Sequence, residues 1–199
     1  MSTDNHQDSG AFDAWARGDQ AAGAEFVGVY FDLVFRFFDR KVRTGAEDLT
    51  QQTFLECLAA HSRYRGDGPL RAFILGVARR QLGKHLRKSI RGRQALDTLK
   101  VSVNELFAGP STAAAMRDVE GALGEAMRNL PVELQTLVEL RYWEGLPLAE
   151  IGRVVQAPVG TVKSRLSRAR ALLRESIESA GVGSQLRRSV LERLEGWHD

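Results

Sequence analysis

The sequence predicts an all-α protein of two small helical domains joined by a flexible linker. Three observations point there. Apolar residues recur at three- and four-residue spacing almost throughout, while β-branched alternation at period two is scarce. Prolines stand just inside expected helix starts and glycines just past expected ends, the normal asymmetry of helix punctuation. Between about Gln94 and Thr112 periodicity lapses and ends in Ala108-Gly109-Pro110-Ser111-Thr112, a composition that marks a tether.

Taken in order, residues 1–18 form an N-terminal arm, polar and acidic over Met1–Gly10. From Asp19 onward, Phe26, Tyr30, Leu33 and Phe37, with Val34 and Phe38, form one broad apolar stripe on a first helix. A second helix runs from about Ala46 to His61 and a third from about Pro69 to Lys88, with the glycine-bearing loop 62–68 between them. These make a first domain over 19–93, followed by the linker over 94–116. The second domain, 117–179, carries four closely punctuated helices. They run from Arg117 to Asn129, from Pro131 to near Glu144-Gly145, from Pro147 to Val155, and from Val159 to about Ser179. Residues 180–199 form an extension. In it Leu186, Val190, Leu194 and Trp197 make one stripe with Arg187, Arg188 and Glu192 outside, which predicts a helix docking on the second domain or on a partner.

At 199 residues and 43% hydrophobic content, the chain can build two cores. Its net charge of +3 hides an asymmetry. Basic residues gather at Arg79–Arg93 and Lys163–Arg174, and two such stripes suit two contacts with a polyanion. The single cysteine, Cys57, excludes an internal disulfide framework. The N-terminus lacks the pattern of a signal peptide, and Asp32 and Arg36 interrupt the most apolar early segment, so no membrane contact and a cytoplasmic location are expected.

The strongest local signal is Pro147–Arg174: a short helix, a brief turn and a longer basic helix, the pattern of a helix-turn-helix. In the long helix Val162, Leu166, Ala169 and Leu173 recur at i, i+4, i+7 and i+11 and must face the core. The opposite side then carries Gly160, Lys163, Ser164, Ser167 and Arg168, flanked by Thr161 and Arg165. Small residues at its start allow close approach to a duplex, and Lys163 and Arg168 can donate to guanine or phosphate. A solvated surface helix normally balances its cations with glutamates one turn away. Lys163–Arg174 contains no acidic residue.

Asn129-Leu130-Pro131, LVELRYWEG over 137–145, Ala149-Glu150-Ile151-Gly152 and PVGTVKSRLSRAR over 158–170 resemble region 4 of the extracytoplasmic-function sigma factors. That resemblance spans about Asp118–Glu175 without a gap. It implies that the helix from Val159 reads the −35 promoter element.

Region 2 of the same family should lie upstream. Ala46–Phe54 resembles the segment that grips the β′ clamp helices of RNA polymerase, and Asp48, Gln51, Gln52 and Leu55 share the outward arc there, opposite Leu49, Thr53, Phe54, Cys57 and Leu58. Tyr64-Arg65-Gly66-Asp67 and the next helix resemble the parts that hold the melted −10 strand. Arg71, Arg79, Arg80, Lys84, Arg87 and Lys88 are the candidate phosphate-holding cations. Tyr64 could equally stack on a base or anchor the loop to the core. The chain departs from the family's habit at three positions: Phe73 stands where Trp is frequent, Arg80 where Asn is, and Lys84 where Asp is. Base preference at −10 is therefore not carried over.

No phosphate loop, nucleophile elbow, carboxylate cluster or convergent metal set is present, and Cys57 with His61 at i, i+4 gives only two ligands. The chain is expected not to be an enzyme and to need no cofactor or metal. The resemblance implies core RNA polymerase (β′ clamp helices and β flap), promoter DNA and an anti-sigma factor as partners. The rival readings are a free-standing helix-turn-helix regulator, a nucleic-acid-processing enzyme and a sequestering module.

Overall fold

The computed structural model describes residues 2–64, 66, 68–89, 102, 103 and 118–197, and of residues 2–8 and 89 the backbone only. Nine α-helices account for most of these: α1 Ser2–Ala16, α2 Gln20–Asp39, α3 Ala46–Ala59, α4 Leu70–Ser89, α5 Val119–Arg128, α6 Val132–Val138, α7 Leu148–Val155, α8 Val159–Ser179 and α9 Ser184–Glu195. The chain divides into two compact units, Met1–Lys88 with Gly152–Gln156, and Ser89–Ile151 with Ala157–Asp199.

In the first unit α2 supplies the centre. Asp19 caps it, its Oδ1 accepting from the amides of Ala21 at 2.9 Å and Ala22 at 3.1 Å. Phe26, Tyr30, Val34, Phe37 and Phe38 are buried along one side, as their spacing requires. Facing them, α3 buries Leu49, Thr50, Thr53, Phe54 and Cys57. The two buried threonines are satisfied within the helix, Thr50 Oγ1 donating to Ala46 O at 2.8 Å and Thr53 Oγ1 to Leu49 O at 2.7 Å.

The segment read as an arm is helix α1. Its Phe12 is fully buried and stacks on Phe26 with ring centroids 5.0 Å apart. Trp15 lies over Gly23, where even a methyl group would come within 2.4 Å of the indole. Little in α1 is amphipathic, so periodicity could not reveal it. Packing of a few large rings stabilises it instead.

The second unit is built around α8. Val162, Leu166, Ala169, Leu173 and Ile177 are buried on one stripe, against α5, α6 and α9. Asp118 caps α5 by accepting from Gly121 N at 2.7 Å. Beyond α6 the chain loosens into a π-helical turn over Glu139–Trp143, where Glu139 is buried and accepts from Gln135 Nε2 at 2.9 Å. Gly145 then takes a left-handed φ of 64° and closes that segment near its expected end.

Prolines 69, 131, 147 and 158 each stand immediately before the first helical residue rather than as it. Each carbonyl accepts the first helical amides, as Pro131 O does from Leu134 N at 2.8 Å. An extended ψ with proline's fixed φ suits that capping position. Of the expected linker, 94–116, only Ser102 and Val103 are among the described residues. Both are buried, Ser102 pairing with Pro131 in an isolated antiparallel bridge.

The extension forms α9, docked on α8 and α5 by Val190 and Leu194, while Trp197 stacks on Tyr142 at 4.4 Å. Arg187, expected outside the stripe, is half-buried instead, its guanidinium donating to Ala180 O and Val182 O. Those are carbonyls left open where α8 ends. No helix among the described residues is long and apolar enough to cross a membrane.

Candidate nucleic-acid interface

The turn between α7 and α8 is set by Gln156, the only non-glycine with positive φ among the described residues, at 56°. It is followed by extended Pro158, from which α8 starts. Along α8 the buried stripe fixes the orientation of everything else. Gly160, Lys163, Ser164, Ser167 and Arg168 are exposed, and Thr161 and Arg165 are half-buried on their flanks. All seven residues expected at the −35 element therefore lie together on the solvent side of one helix. Ser164 Oγ donates to Thr161 O at 3.0 Å, a local bond that a hydroxyl can exchange for a base or phosphate by rotating.

In the first unit, Asp48, Gln51, Gln52 and Leu55 share the exposed face of α3. Leu55 is 65% exposed among polar neighbours. On α4 the six expected cations separate. Arg80, Lys84, Arg87 and Lys88, at i, i+4, i+7 and i+8, form one exposed face. Arg71 and Arg79 lie half-buried on other sides of the helix and are engaged elsewhere.

Lys84 Nζ stands 3.9 Å from Glu56, a loose pair across α3 and α4. With Lys88, His85, Gln81, Asp48 and Gln52 it lines a cleft of about 280 Å³ between those helices. His85 is held below its ordinary 6.5, first by burial and then by Lys88, so its ring is neutral at neutral pH. Neither Gln81 nor His85 was singled out from sequence. Their spacing from Lys84 and Lys88 would have placed them beside that face.

In loop 62–68, Tyr64 Oη donates to Gly68 O at 3.0 Å, and the ring packs against Phe73 at 5.3 Å and Phe12 at 6.0 Å. This is the anchoring geometry. Gly66 takes a φ of 72°, which a side chain would resist. Arg65 and Asp67 lie outside the described residues. Among the described residues, Cys57 and His61 are not part of any group of three potential metal ligands. Cys57 is buried, with its thiol pushed up to about 12 by desolvation, and His61 Nε2 meets Asp13 Oδ1 at 2.7 Å.

Two family models match this chain: "Sigma-70 region 2" over residues 26–92 and "Sigma-70, region 4" over 120–173, together more than half its length. The chain belongs to the extracytoplasmic-function sigma factors. Among its relatives, the RNA polymerase sigma-H factor of Pseudomonas aeruginosa is 29% identical over 184 residues, covering 86% of this chain and 94% of its own length. The ECF RNA polymerase sigma-E factor of Haemophilus influenzae is 26% identical, over 81% of this chain and 90% of its own. The sigma factor RpoE of Bartonella quintana, solved with the anti-sigma factor NepR, superposes with a TM-score of 0.57 at 20% identity, covering 78% of this chain and 96% of that one. At that identity the superposition speaks for the fold.

The matched segments bracket the two faces described above. The region 2 model holds the exposed faces of α3 and α4, and the region 4 model runs from α5 into α8. Both α1 and α9 lie outside the matched segments.

Proposed function

We propose that this sigma factor docks on core RNA polymerase through Asp48, Gln51, Gln52 and Leu55 of α3, and places α8 against the −35 element. There Lys163 and Arg168 donate to base edges or phosphate, Ser164 and Ser167 donate or accept, and Gly160 lets the backbone approach. The exposed cations of α4 hold phosphates of the opened −10 strand, with Arg65 and Gly66 of the loop. Tyr64 then acts as the loop's anchor. Contacts made only with single strand shift the closed–open equilibrium toward the melted promoter.

The observation that carries this reading is the division of α8 into a fully buried apolar stripe and an exposed cationic one, within a region 4 match. Bond-making chemistry stays with the polymerase. The chain itself is no enzyme, works in the cytoplasm beside the polymerase, and needs no metal or cofactor of its own. An anti-sigma factor is a further partner, as membership of this family implies; the Bartonella quintana sigma factor was solved in complex with one. A free-standing duplex-binding regulator would have no use for the α3 face.

The test is run-off transcription from a genomic DNA pool with core polymerase and the purified chain. Initiation at a defined set of start sites, absent with core alone, is the expected result. Duplex binding without polymerase-dependent initiation would refute it.

A further inference from the structure

The exposed edge of α8 does not stop at Ser167. Lys163, Ser167, Arg170 and Arg174 follow at i, i+4, i+7 and i+11, so the two arginines extend the same edge toward the helix C-terminus. In this structure both are occupied by the extension. Arg170 Nη1 donates to the backbone carbonyl of Trp197 at 2.6 Å. Arg174 Nη2 meets Glu195 Oε1 at 3.5 Å, both side chains largely exposed. Ser167 itself shares a cleft of about 370 Å³ with Arg170, Arg174, Leu194 and Trp197. The α9 helix thus ends against the proposed DNA-reading edge.

Resting on the reading of α8 given above, we propose that Arg170 and Arg174 form a further phosphodiester-binding subsite, which the end of α9 covers with a carbonyl and a carboxylate standing where phosphate oxygens go. Three features support the exchange. Guanidinium groups take phosphate oxygens in the geometry they now offer to these acceptors. The Arg174–Glu195 pair is long and solvated, so Glu195 can be replaced with little cost to the fold, and α9 stays docked without it. What holds the end of α9 in place is separable from the arginines: the Trp197–Tyr142 stack and, one turn earlier, the pairing of Arg193 with Glu120 of α5. Glu195 beside this edge also repels a polyanion. The extension is therefore a brake on duplex binding, released where phosphates outcompete it.

The experiment uses full-length chains and a labelled 30-base-pair duplex of arbitrary sequence, with affinity followed against salt. Each cation delivered to phosphate steepens the log–log slope by about 0.9. Glu195→Gln, which leaves α9 docked, should steepen it by about 0.9. Adding Trp197→Ala should bring the change toward about 1.8 and tighten binding several-fold at low salt. Introducing Arg170→Ala and Arg174→Ala into the double variant should erase both gains.

Slopes equal to the parent's, or gains that survive loss of the two arginines, would overturn the subsite. A Lys163→Glu/Arg168→Glu control separates the two readings. If it leaves parental binding intact while the α9 variants still steepen the slope, the reading of the α8 face fails and the subsite stands. Absence of duplex binding by every form overturns both.

Discussion

At the scale of single residues, three positions show how local sterics and burial decide behaviour. Gly23 would ordinarily gain from replacement by alanine within a helix, by roughly 0.5–1 kcal/mol. Here the indole of Trp15 occupies the space, with Cδ1 2.4 Å from an added Cβ. Gly23→Ala should therefore destabilise the first unit by about 1–3 kcal/mol in chemical denaturation, the usual cost of overpacking. An unchanged midpoint would show that Trp15 does not pack on α2. Cys57 gives a second test. Burial raises its thiol from 9.0 to about 12, with Arg80 opposing and Glu56 reinforcing. The native thiol is thus neutral at pH 8 and should resist alkylation until the protein unfolds. Its folded value lies above its unfolded one, so the neutral thiol's contribution is fully present below about pH 9 and is lost as pH rises toward 12. At Gln156 the left-handed φ of 56° strains a side chain. Glycine there should be tolerated without loss of thermal stability, whereas valine should lower it.

Helices differ in how much of them can be read from sequence, and the reason is the source of their stability. Removing the cap of α2 with Asp19→Ala should cost about 1 kcal/mol, measurable by denaturant titration. The start of that helix at Asp19 was legible from the periodic stripe that follows; the cap itself came from the structure. The boundaries and buried stripe of α8 were legible too, since four apolar residues at helical spacing leave one orientation only, and Ile177 continues the same stripe. The α1 helix was not. Phe12 and Trp15 are the only large apolar residues in a polar stretch, and they become a helix because rings from α2 and loop 62–68 close over Phe12. The seven residues of the α8 face follow from one helix's geometry, so they could be named together. The six cations of α4 could not. A run of basic residues gives charge without direction, and only a settled core separates Arg80, Lys84, Arg87 and Lys88 from Arg71 and Arg79. For the same reason Arg187 belongs to the α8 terminus rather than to solvent.

In the whole molecule, the proposed polymerase-docking and promoter-reading residues lie on different helices, so their losses should be separable. Leu55→Ala or Leu55→Asp removes an exposed side chain and should leave stability within about 0.5 kcal/mol. It should weaken association with core polymerase while binding of the free chain to duplex is unchanged. Parallel loss of both would mean that one surface serves both partners. In the proposed function the exposed cationic side of α8 lies against promoter DNA. The most direct measurement of that placement is run-off transcription with a Lys163→Glu/Arg168→Glu variant, at matched occupancy of core polymerase. Initiation should fall at least tenfold at every start site, while polymerase binding is retained. Initiation at the same sites with undiminished strength would contradict that placement.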